Sequence, residues 1–196
     1  SRSEFTAPEI AKAELSSALL TLLSWGEKEV LEFPWLTAPT IPAIESAKRL
    51  LILLGAVDDH CSLTAIGARM SRLPVHPRLA RLLIASENTD CMAAGSLAAA
   101  LLSERSPFGR SGSPQHVVDT SGENDLLAEV CRLTNHYCGG RDPTIQIGAA
   151  DSIRRVAKTL FRGQDKRDRF EAELKSTRGE SAALQADFAR ALLAAY

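Results

Sequence analysis

Apolar residues recur at helical spacing along most of the chain, and proline and glycine break the runs. After Pro8, the positions Ile10, Leu15, Leu19, Leu22 and Leu23 predict a first amphipathic helix, which Trp25-Gly26 stops. Residues 30–36 read as a short aromatic and apolar connector, with Phe33 and Trp35 expected to anchor it to a core. A proline-bearing entry at 37–42 leads into a second helix, whose stripe is Ile44, Ala47, Leu50, Leu51 and Leu54 and whose end is Gly55. Ala56-Val57 and Ser62-Leu63 flank an Asp58-Asp59-His60 turn, the pattern of a miniature hairpin. Thr64 then stands where its hydroxyl caps a third helix. Helix, helix, hairpin and helix in so short a span predict a reduced winged-helix domain over residues 8–72.

A rigid link follows. In Leu73-Pro74-Val75-His76-Pro77 each proline confines the residue before it to extended geometry, so Leu73 and His76 are poor helix residues. Pro77 suits the first turn of the next helix, which Leu79, Leu82 and Leu83 continue. Residues 91–102 are crowded with small side chains, which lets helix backbones approach closely and predicts a central place in a bundle. Residues 103–120 read as a long loop carrying Arg105, Arg110 and His116. A helix over 121–137 turns Leu126, Leu127, Val130 and Leu133 inward. Asp142-Pro143 breaks the chain, and another helix from near Ile145 or Ala149 carries Ile153, Val156, Ala157, Leu160 and Phe161. Leu174 stands alone in a polar run, so no helix is assigned there. Leu184, Phe188, Leu192 and Leu193 mark a terminal helix. The expected fold is mainly α: a winged helix over 8–72, then a helical bundle over 73–196.

Composition adds little beyond this. Alanine and leucine dominate and aromatics make up only 5%, which favours helix. The formal net charge of −1 gives no global attraction to nucleic acid, so any such contact needs a local patch. Two basic clusters stand out: Arg69, Arg72, Arg78 and Arg81 around the link, and seven basic residues between 154 and 169, opposed only by Asp165 and Asp168. Arg78 and Arg81 share a helix face and either meet successive phosphates or another domain, or form a solvated face. His76 either holds the link or reaches a phosphate, the structural role being the default. The four cysteines are read as free thiols in a reducing compartment, and a cytoplasmic location is expected. No run of 18 apolar residues predicts a membrane span. The ends of the chain read as those of a piece of something longer.

Catalytic chemistry is not assigned. Gly109 and Gly112 lack the spacing and the Lys-Ser or Lys-Thr of a triphosphate loop. Cys131, His136 and Cys138 are close in sequence, but positions five apart face different ways on a helix and no fourth ligand is suitably placed, so no metal is assigned. Asp58 and Asp59 sit in a turn and do not form an acid/base pair.

Leu73-Pro-Val-His-Pro-Arg-Leu-Ala-Arg-Leu-Leu83 resembles the junction in the C-terminal region of DEAH-box ATP-dependent RNA helicases, most of all the bacterial HrpB type. Residues 6–10 and 15–26, Phe33-Pro34-Trp35-Leu36 with Pro39, 50–58, Leu63-Thr64-Ala65-Ile66-Gly67 and Met70 extend the likeness upstream. Ala98 to Pro107, Asp125-Leu126-Leu127, Ile153-Arg154-Arg155-Val156-Ala157 and 188–196 extend it downstream. It is weakest over 161–181, and Gly95 stands where a bulkier residue is usual. The resemblance implies a winged-helix hub followed by a ratchet-like helicase-associated domain. It further implies single-stranded RNA (or DNA) and RecA-like motor domains as partners. ATP and Mg²⁺ would act in those motor domains, with no cofactor in this piece. By the same resemblance Arg72, His76, Arg78, Arg81, Arg105, Arg110, Arg154, Arg155 and Lys158 are the candidates for nucleic-acid or motor-domain contact. The other readings are a winged-helix adaptor that docks proteins and a DNA-reading winged helix. For the latter, only Lys48, Arg49 and Arg69 supply charge on the second and third helices.

Overall fold

The computed structural model describes residues 14–27, 29–89, 91–108, 125–161, 166–177 and 181–193. Pro8, Ile10, Gly109, Arg110, Gly112 and His116 lie outside these. The described chain is mainly α-helical and has no sheet, only two isolated antiparallel bridges, Val57 with Leu63 and Phe108 with Ile145. It divides into two compact units after Ile84.

The first unit contains α1 (Ser16–Ser24), α2 (Ile41–Leu53), α3 (Ala65–Met70) and most of α4 (Pro77–Glu87). α1 buries Leu19, Leu20 and Leu22 and packs on α2 and α3. α2 buries Ile44, Ala47 and Leu51, the spacing of one helical face. The connector is anchored as its aromatics predict. Trp35 lines one small void with Leu15, Leu19, Val30 and Ile44, donates its indole N–H to the Val30 carbonyl at 2.8 Å, and meets Phe33 edge-on. The predicted hairpin shrinks to the single Val57–Leu63 bridge. Its turn is organised by Asp58, whose carboxylate accepts from the His60 and Ser62 amides, and Cys61 takes a φ of +57° to close it. Thr64 caps α3 by accepting from the Gly67 amide at 3.0 Å, and it donates to the Gly55 carbonyl at 2.6 Å. That double bond ties the start of α3 to the end of α2. Only glycine fits at position 67, because a Cβ there would collide with the Ala56 carbonyl.

The second unit is organised on α5 (Met92–Ser103). Every residue from Met92 to Leu101 is buried, and only the last two residues of α5 are exposed. α6 (Asp125–Tyr137), α7 (Ile147–Leu160), α8 (Lys166–Thr177) and α9 (Ser181–Leu193) all pack against it. Gly95 is the tightest point: a Cβ there would collide with Ser86 Oγ. That contact accounts for a small residue where the helicase pattern has a larger one.

One expectation is corrected. α8 is a helix although its sequence is strongly polar. Phe170 and Leu174, four apart, are both fully buried and hold it to the unit, and Phe170 meets Phe161 edge-on at 5.3 Å. Leu174 is therefore not isolated; its partner one turn back is an aromatic. The terminal helix is present as marked, and Leu193, its last residue, is 80% exposed. α7 begins at Ile147, between the two starts expected, while Ile145 pairs with Phe108 and the Gln146 amide donates to the Pro107 carbonyl before the helix begins.

Gly95→Ala should lower stability by about 1–3 kcal/mol, the usual cost of forcing a methyl group into a filled interior. Urea denaturation of Gly95→Ala, Ser86→Gly and the double variant should show a favourable coupling, the double variant being less destabilised than the sum of the two singles. Strict additivity would mean that Ser86 is not what limits position 95.

Candidate nucleic-acid interface

The basic residues around the link are not equivalent. Arg72 is exposed in the turn after α3, where its amide donates to the Arg69 carbonyl at 3.3 Å. Arg81 is committed: its Nε donates to the Leu54 carbonyl at 3.1 Å, at the C-terminal end of α2, where a cation is favoured by the helix dipole. Arg78 is half-buried and also has an interaction within the chain.

His76 bonds within its own compact unit. Its Nδ1 accepts from the Arg78 amide at 3.3 Å, which leaves Nε2 to donate to Glu14 Oε2 at 2.9 Å. Glu14 also accepts from the Ser16 amide and hydroxyl, so one carboxylate caps the start of α1 and ties it to the link. Burial raises the Glu14 pKa, but the Ser16 hydrogen bonds and His76 outweigh it and hold the carboxyl below its usual range. The Glu14 partner was invisible in the sequence, sixty-two positions away from His76.

In the second unit Arg105 is exposed just beyond α5. The three cations of α7 separate by face. Arg155 is exposed. Arg154 and Lys158, one turn apart, both turn to Glu171 on α8. Arg154 Nη2 reaches both carboxylate oxygens at 2.7 Å, and Lys158 Nζ reaches Oε1 at 2.6 Å. Burial pushes Glu171 up, and the two cations more than reverse this, so its pKa lies below the ordinary value. Each cation also rests on an aromatic face. Arg154 lies 5.0 Å from the Tyr137 ring centroid and Lys158 lies 5.9 Å from that of Phe170. The Tyr137 hydroxyl donates to the Ala150 carbonyl, and burial pushes its pKa up.

A further basic residue escaped the sequence reading. Arg132 donates to Asp142 Oδ2 at 2.8 Å and to the Thr144 hydroxyl, and it lies over the Phe108 ring at 4.1 Å. The Thr144 hydroxyl and amide, with Arg132, hold Asp142 down at about 2. The only signal in the sequence was the Asp-Pro-Thr turn, which announces a break and not an ion pair. All four cysteines are free thiols, and burial raises the pKa of Cys91. No helix among the described residues is long and apolar enough to cross a membrane.

The Asp142 corner carries a pH signature. A carboxyl depressed in the folded state stabilises the fold above its unfolded pKa, near 3.8, and that contribution is lost as pH falls through about 2. Carbon-detected NMR should find Asp142 titrating near 2. Asp142→Asn should flatten the fall in urea midpoint between these two values relative to the parent, and identical profiles would refute the linkage.

Comparison with known proteins places these features. The winged-helix family of the helicase associated domain (HA2) matches residues 49–75, and its ratchet-like family matches residues 76–192. The ATP-dependent RNA helicase HrpA of Escherichia coli is 33% identical over 172 residues, covering 82% of this chain and 13% of that protein. HrpB of the same organism is 38% identical over 104 residues, covering 53% and 13%. The mouse ATP-dependent RNA helicase DHX33 is 31% identical over 150 residues, covering 71% and 22%. The crystal structure of the E. coli DExH-box NTPase HrpB superposes with a TM-score of 0.54 at 27% identity, covering 87% of this chain and 18% of that one. The chain thus spans less than a quarter of each of these proteins.

Proposed function

The chain belongs to the helicase-associated (HA2) family of HrpA/HrpB-type DEAH-box RNA helicases, and from that premise we propose that it braces RecA-like motor domains and helps guide single-stranded RNA during ATP-driven translocation. The observation that carries this reading is the unbroken succession of winged-helix and ratchet-like matches over 49–192. On it, residues 8–72 form the winged-helix domain and 73–196 the ratchet-like one. With no glycine loop ending in Lys-Ser or Lys-Thr, the chain offers no triphosphate cradle of that type, and ATP and Mg²⁺ belong to the motor domains.

Exposed Arg72, Arg105 and Arg155 suit phosphate contact, which is independent of sequence and so compatible with movement along a strand. Trp25, Leu31, Leu36, Ile41 and Leu53 in the first unit are exposed, and suit a protein contact. The same five side chains favour the second reading, a protein-docking adaptor without nucleic-acid contact.

Fluorescence anisotropy of the whole chain with labelled single-stranded RNA, single-stranded DNA and duplex RNA across a salt series separates the two. Salt-sensitive single-strand binding is expected, with each of Arg105→Ala and Arg155→Ala lowering the log–log salt slope by about 0.7. Arg81→Ala is a poorer probe because it also releases the end of α2. Absence of binding at low salt would overturn the guiding role and leave the docking one.

A further inference from the structure

We propose that Arg154 and Lys158 form a preorganised phosphodiester site in which the Glu171 carboxylate sits as a stand-in, to be displaced by the backbone of a single strand. The inference rests on the RNA-guiding reading above and assigns one site within it.

Three observations carry it. First, two cations share one carboxylate, and exposed Arg155 adds a third cation on the same helix, where Asp151 is the one further carboxylate. Second, Glu171 fills the site poorly. Both of its oxygens lie on the single nitrogen Nη2 of Arg154, not side by side on two nitrogens of the fork, and the buried Nε is left with no hydrogen-bond partner. Third, the cations are held without it. The Tyr137 and Phe170 rings support the guanidinium and the ammonium, and Tyr137 is itself fixed by its bond to the Ala150 carbonyl. Removing the carboxylate therefore leaves two positioned cations.

The site is also reachable. The side chains of Arg154, Lys158 and Glu171 are 33%, 31% and 27% exposed, so a phosphate can enter after a change of the Glu171 rotamer alone. α8 need not move, because Phe170 and Leu174, both fully buried, keep it in place. Displacing Glu171 costs its two ion pairs, and the entering phosphodiester restores them with its two non-bridging oxygens, the same number that a carboxylate has. The contact reads no base.

The test uses the whole chain and a fluorescein-labelled oligouridylate. Glu171→Gln keeps the shape and removes the competing charge. It should tighten binding about three- to tenfold at low salt and steepen the salt slope by about 0.7–1.4, the equivalent of one or two further phosphate contacts. Adding Arg154→Met and Lys158→Met to Glu171→Gln should abolish the gain. If the parent binds and Glu171→Gln binds no tighter, the stand-in is refuted while the RNA-guiding reading survives. If neither binds at low salt, the RNA-guiding reading fails and this site fails with it. Thermal melts establish that each variant is folded. Should Glu171→Gln unfold, acetylation of the parent decides: saturating oligouridylate should protect Lys158, and unchanged labelling would overturn the proposal.

Discussion

A helix that is apolar on every face has no stable place except the middle of something, and α5 imposes that condition on the second unit. From Met92 to Leu101 every residue is buried, so neighbours must cover that stretch on all sides. Four helices do so. Its run of alanine, glycine and serine sets how close they come, and Gly95 against Ser86 marks the limit. The same burial creates a polar demand. The first amide groups of α5 have no acceptor inside the helix, and Cys91 at the cap position supplies none. Glu173 of α8 meets the demand by accepting from the Ala93 amide at 2.8 Å. α8 is therefore polar for a reason: its carboxylates serve the ends and sides of other helices, while Phe170 and Leu174 hold it in place.

Cations work as fasteners in both units. Arg81 closes the C-terminal end of α2, Arg132 binds the turn at Asp142, and Arg154 with Lys158 joins α7 to α8. Among the described residues, several of the chain's cations are thus spent on joining its own elements. The pairs are only partly exposed, so they are screened less than free surface pairs. Each is also geometrically supported by a ring or a backbone carbonyl, which reduces the side-chain entropy lost in holding it.

The helices were legible in the sequence wherever their own periodicity determined them. The stripe of Ile44, Ala47 and Leu51, the Thr64 cap and the small-residue run of α5 each act within one helix or over a few residues, and each is observed. α8 was not legible, because two apolar positions in a polar run are too few to show a period and its stability comes from the core of other helices. The candidate site was half legible for the same reason. Spacing puts Arg154 and Lys158 on one face, but it says nothing of Glu171, which arrives on another helix. Likewise His76 was marked by its two prolines, while its partner Glu14 is fixed only by the fold.

The arrangement on α7 bears on how a strand could be held without being trapped. Contact with phosphate alone ignores sequence, yet a fully exposed row of arginines would bind tightly wherever the strand lay. A carboxylate already in the site lowers that affinity by competition, not by weakening the cations. Because the aromatic shelves position the cations beforehand, little ordering is lost when phosphate replaces carboxylate. Exchange between two anions at a fixed site is then close to balanced in either direction. A near-balanced exchange lets each phosphate be gripped and released in turn, and on the proposed reading that is what a strand moving past a passive helical unit requires.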